Sequence, residues 1–119
     1  MIARLVKADF LEEIYDFEGP EAPQNRNEKP VAVLFYKTGD ERSVLQLEIL
    51  NVLAEKFPDI LFYKIDVMQE QLLAADLGIC RVPAILFAPV GGALSIVYGL
   101  CSETTLEKTI TKVLRVQTP

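Results

Sequence analysis

The most regular patterning in the chain is the run Val31-Ala32-Val33-Leu34-Phe35-Tyr36, which is apolar without a break. A strand with one solvated face alternates apolar and polar positions, whereas a strand covered on both faces does not. The run therefore predicts a central strand between helices. Residues 40–57 change to helical period, with Leu45, Ile49, Val52 and Leu53 at i, i+4, i+7 and i+8 as the expected core face. Asp40 is placed to cap that helix and Pro58 to end it. Residues 60–67 read as a further strand and residues 69–77 as a short helix closed by Gly78. Ala84 to Ala88 and residues 94–98 form a hairpin around Pro89-Val90-Gly91-Gly92. Ser102 caps a last helix with Leu106, Ile110, Val113 and Leu114 on one face. Ahead of the central strand, residues 2–6 alternate as a short edge strand, and residues 8–17 carry Phe10, Leu11, Ile14 and Phe17 at helical spacing. Residues 18–29, with Gly19, Pro20 and Pro23, read as a flexible loop.

The order is β-α-β-α-β-α-β-β-α, which predicts an α/β fold with a central mixed sheet and helices on both faces. A chain of 119 residues can bury one core but not two, so residues 1–119 are expected to be a single domain.

Charge and composition narrow the chemistry. Lys plus Arg is 12 and Asp plus Glu is 17, giving 12 − 17 = −5. That acidic balance lacks the basic footprint of a nucleic-acid or anionic-membrane binder. Histidine is absent, which removes the commonest general base and the commonest metal ligand. Asp59, Asp66, Glu70 and Asp76 have no metal-loop spacing and read as a solvated acidic surface; neither a metal nor a cofactor is expected. Gly91-Gly92 lacks the lysine and helix of a phosphate loop. Arg4, Lys7 and Asp9 interrupt the first ten residues, so no secretory h-region is read there, and no apolar stretch is long enough for a bilayer. Two cysteines, Cys80 and Cys101, make no disulfide framework, and the expected compartment is the cytosol.

Several segments together resemble the thioredoxin family, with the best match over residues 31–114. Phe35-Tyr36 falls on the family's aromatic pair, and Lys64-Ile65-Asp66 matches the end of its third strand. Leu77-Gly78-Ile79-Cys80-Arg81-Val82-Pro83-Ala84 is similar to the segment leading into its cis-proline, and Tyr98-Gly99-Leu100 to the glycine turn beside it. The resemblance implies a thioredoxin-like fold and a cis Val82–Pro83 bond. It also implies a docking rim of Gly39, Asp40, Val82, Pro83, Gly99 and Leu100, along which an extended segment of a partner protein pairs as an added strand.

The departures form a set. The family's two catalytic cysteines fall on Asp40 and Ser43, and the tryptophan before them on Gly39. Its buried aspartate falls on Leu34, the lysine that pairs with that aspartate in bacterial members on Phe62, and its helix-kinking proline on Glu48. Losing one member of a buried ion pair leaves an uncompensated charge, while losing both leaves an ordinary core. Asp40, Glu41, Arg42 and Ser43 are therefore read as a degenerate active site: Asp40 and Glu41 as cap and dipole partners, or alternatively as an acidic spot for a basic partner segment. Ser43 has no histidine to activate it and reads as a first-turn helix residue.

The first functional reading is a redox-inactive thioredoxin-like domain that binds a protein partner, in the manner of a chaperone module, through the cis-proline groove. The second is a thioredoxin-related protein of redox homeostasis using Cys80, with or without Cys101. A third is self-assembly through the edge at residues 94–98. Taken alone, the two cysteines read as small unpaired hydrophobic residues, with Arg81 the cation beside Cys80.

Overall fold

The computed structural model describes residues 2–4 and 28–115. The expected helix at 8–17 and most of the expected loop at 18–29 lie outside these residues. The elements are β1 (Ala3–Arg4), β2 (Val31–Tyr36), α1 (Glu41–Lys56), β3 (Leu61–Asp66), α2 (Gln71–Asp76), β4 (Ala84–Ala88), β5 (Ser95–Tyr98) and α3 (Glu103–Thr109). A π-helical turn, Ile110–Leu114, continues α3. Thr109 and Thr111 each donate a hydroxyl to the carbonyl four residues back, and Arg115 closes the helix in the left-handed conformation.

One five-stranded sheet has the order β1-β3-β2-β4-β5. β2 and β3 are parallel, from Val31 opposite Leu61 to Tyr36 opposite Asp66, and β1 adds in parallel beyond β3. β4 is antiparallel to β2, with Phe35 opposite Ala84, and β5 is antiparallel to β4. Val31 to Phe35 are all buried, and their side chains pack into the apolar clusters on both faces of the sheet. Ala32 and Leu34 join Leu50, Leu53, Phe57, Leu106 and Ile110 under α1 and α3. Val33 and Phe35 join Ile65, Leu73 and Leu86 on the α2 face. An apolar run without alternation thus has a helix layer to satisfy on each side.

Leu34 and Phe62 lie in the same cluster, both buried. An apolar pair fills this position, and no carboxylate or ammonium needs a partner there.

The core face of α1 differs from the expected one. Leu45 is 47 % exposed and Val52 46 %, while Ser43, Gln46, Leu50 and Leu53 are buried. The helix is rotated so that its first two turns present polar residues inward. A count of apolar positions could not register this, because tertiary hydrogen bonds satisfy Ser43 and Gln46. The remaining caps follow the pattern: Asp40 and Ser102 each accept from the backbone N–H three residues on. Lys56 near the end of α1 pairs with Glu103 and Glu107 of α3 at 3.2 and 2.9 Å, an exposed arrangement of small energetic weight.

Candidate functional site

Because Phe35 opposes Ala84, the C-terminal end of β2 and the N-terminal end of β4 meet at one edge of the core. The turn after β2 and the approach to β4 are therefore neighbours. The Gly99 N–H donates to the Pro83 carbonyl at 2.9 Å, which brings the loop after β5 to the same place. Three loops thus form one rim: 37–43, 80–83 and 99–102.

The first loop satisfies its own polar groups. The Asp40 N–H donates to the Lys37 carbonyl, closing a turn in which Gly39 takes a φ of 88°, a value that favours glycine. Asp40 Oδ2 accepts from the Ser43 N–H at 2.9 Å, and that bond holds its carboxyl below the usual range. Ser43, 2 % exposed, accepts from the Lys37 N–H at 3.3 Å. Thr38 donates its hydroxyl to Asp66 Oδ2 at 3.0 Å, and Asp66 Oδ1 accepts from the Met68 N–H. Asp66 is therefore not part of a solvated acidic surface, as its sequence context implies. It is buried and fastens the turn to the end of β3. Beside the loop, Gly39, Glu41, Val44 and Leu45 line a shallow depression of about 360 Å³. A larger one of about 730 Å³ lies at the opposite end of the sheet, around Pro30, Pro89 and Lys112, away from these loops.

The second loop is open. The Val82–Pro83 bond is cis, Pro83 is buried and Val82 half-buried. Among the described residues, no backbone hydrogen bond outside the helices and strands engages Arg81 or Val82. Cys80, read from sequence as a small unpaired hydrophobic residue, is exposed. It follows the glycine-terminated end of α2, where Gly78 has a φ of 74° and accepts at its carbonyl from the Tyr98 hydroxyl at 2.8 Å. The Arg81 guanidinium lies 5.1 Å from the centre of the Tyr98 ring, so it is stacked there.

The third loop carries the second thiol. Cys101 is half-buried, and its Sγ donates to the Gly99 carbonyl at 3.6 Å. Burial pushes this thiol above its ordinary value of 9.0. Gln46 of α1, fully buried, makes two bonds to the Cys101 backbone. Its Oε1 accepts from the N–H at 2.7 Å and its Nε2 donates to the carbonyl at 3.2 Å. Sequence reasoning missed Gln46; the one available signal was an amide among apolar positions in the second turn of a long helix.

Gly39, Asp40, Val82, Pro83, Gly99 and Leu100 thus lie on the loops of one rim, with Leu100 exposed. Glu41 and Arg42 point to solvent at the start of α1.

No family model matches the chain. It is 27 % identical over 111 residues to a protein named thioredoxin from Borreliella burgdorferi, covering 92 % of this chain and 95 % of that one. The crystal structure of mitochondrial thioredoxin 3 from Saccharomyces cerevisiae, in its oxidised form, superposes with a TM-score of 0.76 at 21 % identity over 94 % of this chain and 95 % of that one. The X-ray structure of Fasciola hepatica thioredoxin superposes with a TM-score of 0.64 at 26 % identity, over 71 % and 80 % of the two chains. The fold is thioredoxin-like, and the Borreliella protein and the Saccharomyces structure, both matched over nearly the full length, carry the thioredoxin name. Among the described residues, no helix is long and apolar enough to cross a membrane.

Proposed function

We propose that this chain is a thioredoxin-related redox protein that docks an extended partner segment against Val82 and exchanges thiols through Cys80. The observation that carries the reading is an exposed cysteine two residues ahead of a backbone stretch with no hydrogen-bond partner among the described residues. Names of the relatives support the redox reading over the redox-inactive one. Strand addition would hold the segment by main-chain bonds, and its disulfide would then lie beside Cys80. The Cys80 thiolate attacks one sulfur of a partner disulfide, forming a mixed disulfide and releasing the other partner sulfur, which takes a proton. A small-molecule thiol attacks the mixed disulfide in turn. Cys80 returns as a thiol, and the first partner sulfur leaves bonded to the small thiol.

Asp40 and Ser43 cannot take part in this exchange, since neither holds sulfur and both are engaged in the helix cap. That engagement favours the second reading, a binding module without redox work. The two are separated by exchange with oxidised glutathione, followed by peptide mass mapping. Cys80 in the folded chain is expected to form the mixed disulfide at least about tenfold faster than in the urea-unfolded chain. Cys80→Ser is expected to remove the adduct. Equal rates in folded and unfolded chains would discard the redox reading and leave the binding module.

A further inference from the structure

We infer that Gln46 is a positioning residue. Its paired bonds to the Cys101 backbone hold the third loop against α1, which keeps Cys101 out of thiol exchange and leaves Cys80 to react alone. The part concerning Cys80 rests on the function proposed above; the part concerning Gln46 and Cys101 stands on geometry.

Gln46 lies in the second turn of α1, where its neighbours in the buried stripe, Leu50 and Leu53, are apolar. A primary amide with no exposure is tolerated only if its donor and acceptor are both used. Here each is used once, and both bonds go to one residue 55 positions along the chain. An amide offers a donor and an acceptor side by side, which matches the N–H and C=O of a single residue as a strand neighbour would. Besides this grip, the loop is held by the Cys101 side chain, which packs against the core cluster under α1 and α3. Gly99 bonds Pro83, Ser102 turns into α3, and Leu100 between them is exposed.

The consequence falls on Cys101. Its backbone is pinned at both polar groups, and its sulfur faces the Gly99 carbonyl. Rotation about its Cα–Cβ bond costs the sulfur its contact with Gly99, and any approach to a disulfide or to Cys80 that needs the backbone to move breaks the Gln46 bonds. Oxidation of the folded chain is therefore expected to give mixed disulfides or Cys80-linked dimers, and no Cys80–Cys101 bridge.

The test labels both thiols of the intact chain at neutral pH with a dipyridyl disulfide and maps the adducts. In the unmodified protein Cys80 is expected to react at least about tenfold faster than Cys101. Gln46→Met keeps the volume and removes both bonds. It is expected to speed Cys101 at least about tenfold, to leave Cys80 within about twofold, and to abolish amide-exchange protection at the Cys101 N–H. Leu86→Ala, a truncation in the core cluster on the α2 face of the sheet, serves as the stability control. Under conditions of equal overall stability it is expected to leave Cys101 slower than Gln46→Met does. Equal rates for the two thiols in the unmodified protein would overturn the inference without any variant, as would a Cys101 rate that Gln46→Met does not change. If instead Cys101 is protected as described while Cys80 shows no folded-state acceleration with oxidised glutathione, the Gln46 assignment stands and the proposed function falls.

Discussion

In the 37–43 loop, Thr38, Asp40 and Ser43 are bound to neighbouring parts of the same scaffold: to Asp66, to the Ser43 N–H and to the Lys37 N–H. In the 80–83 loop, half-buried Val82 has no backbone partner among the described residues, and Cys80 is in solvent. Both loops sit at the same end of the sheet and descend from the same fold plan. A group whose hydrogen bonds are consumed locally stabilises the fold and has nothing left to offer a ligand. A group left open costs stability and is available. The comparison places structure in the first loop and availability in the second, even though the resemblance to thioredoxins draws attention to the first.

The strongest way to break this contrast is to return charge to the core beneath the first loop. Leu34 is fully buried in β2, in the cluster that also holds Phe62. Leu34→Asp places a carboxyl in that core, where Lys64 opposite it in β3 holds its ammonium over the Tyr36 ring, and is expected to cost about 3 kcal/mol or more in urea denaturation. If the loss is below about 1 kcal/mol, the site still accommodates an ion and the first loop retains more of a dithiol scaffold than its side chains indicate.

A smaller effect separates the two faces of α1. Leu50→Ala is expected to cost about 2–5 kcal/mol, as a fully buried side chain does, while Leu45→Ala is expected to stay within about 0.5 kcal/mol. The reverse ranking would restore the face that the apolar spacing predicts, and would put Gln46 in solvent.

That helix shows where the sequence is legible and where it is not. The element order from β2 to α3, the two-faced β2, the caps at Asp40 and Ser102 and the glycine end of α2 at Gly78 all follow from local rules, because a cap or an apolar run needs only its near neighbours. The loops that the resemblance singles out as a docking rim lie together at one end of the sheet. Gln46 and Asp66 were not legible. Each is a polar residue whose burial depends on a partner distant in sequence, Cys101 for one and Thr38 for the other. Side-chain type alone assigns such residues to the surface. The exposure of Cys80 was hidden for the opposite reason, since a lone cysteine is by default a small buried residue.

The smallest expected effect comes from pH, and it has opposite signs in the two regions. The Ser43 N–H lowers Asp40's carboxyl from its ordinary 3.8. Its contribution to stability is thus complete above that value and is lost as pH falls through the lower folded-state value. Asp40→Asn keeps an oxygen for the cap and removes the titration, so the acid limb of thermal stability should flatten slightly. In the second region burial raises the Cys101 thiol above 9.0. Its contribution is complete below that value and is lost as pH rises through the folded-state value. Cys101→Ser should flatten the alkaline limb and leave the acid limb alone. The two substitutions therefore act on separate limbs of one Tm-against-pH curve. If both moved the same limb, the two regions would be coupled through the rim, and the division between a self-satisfied loop and an open one would not hold.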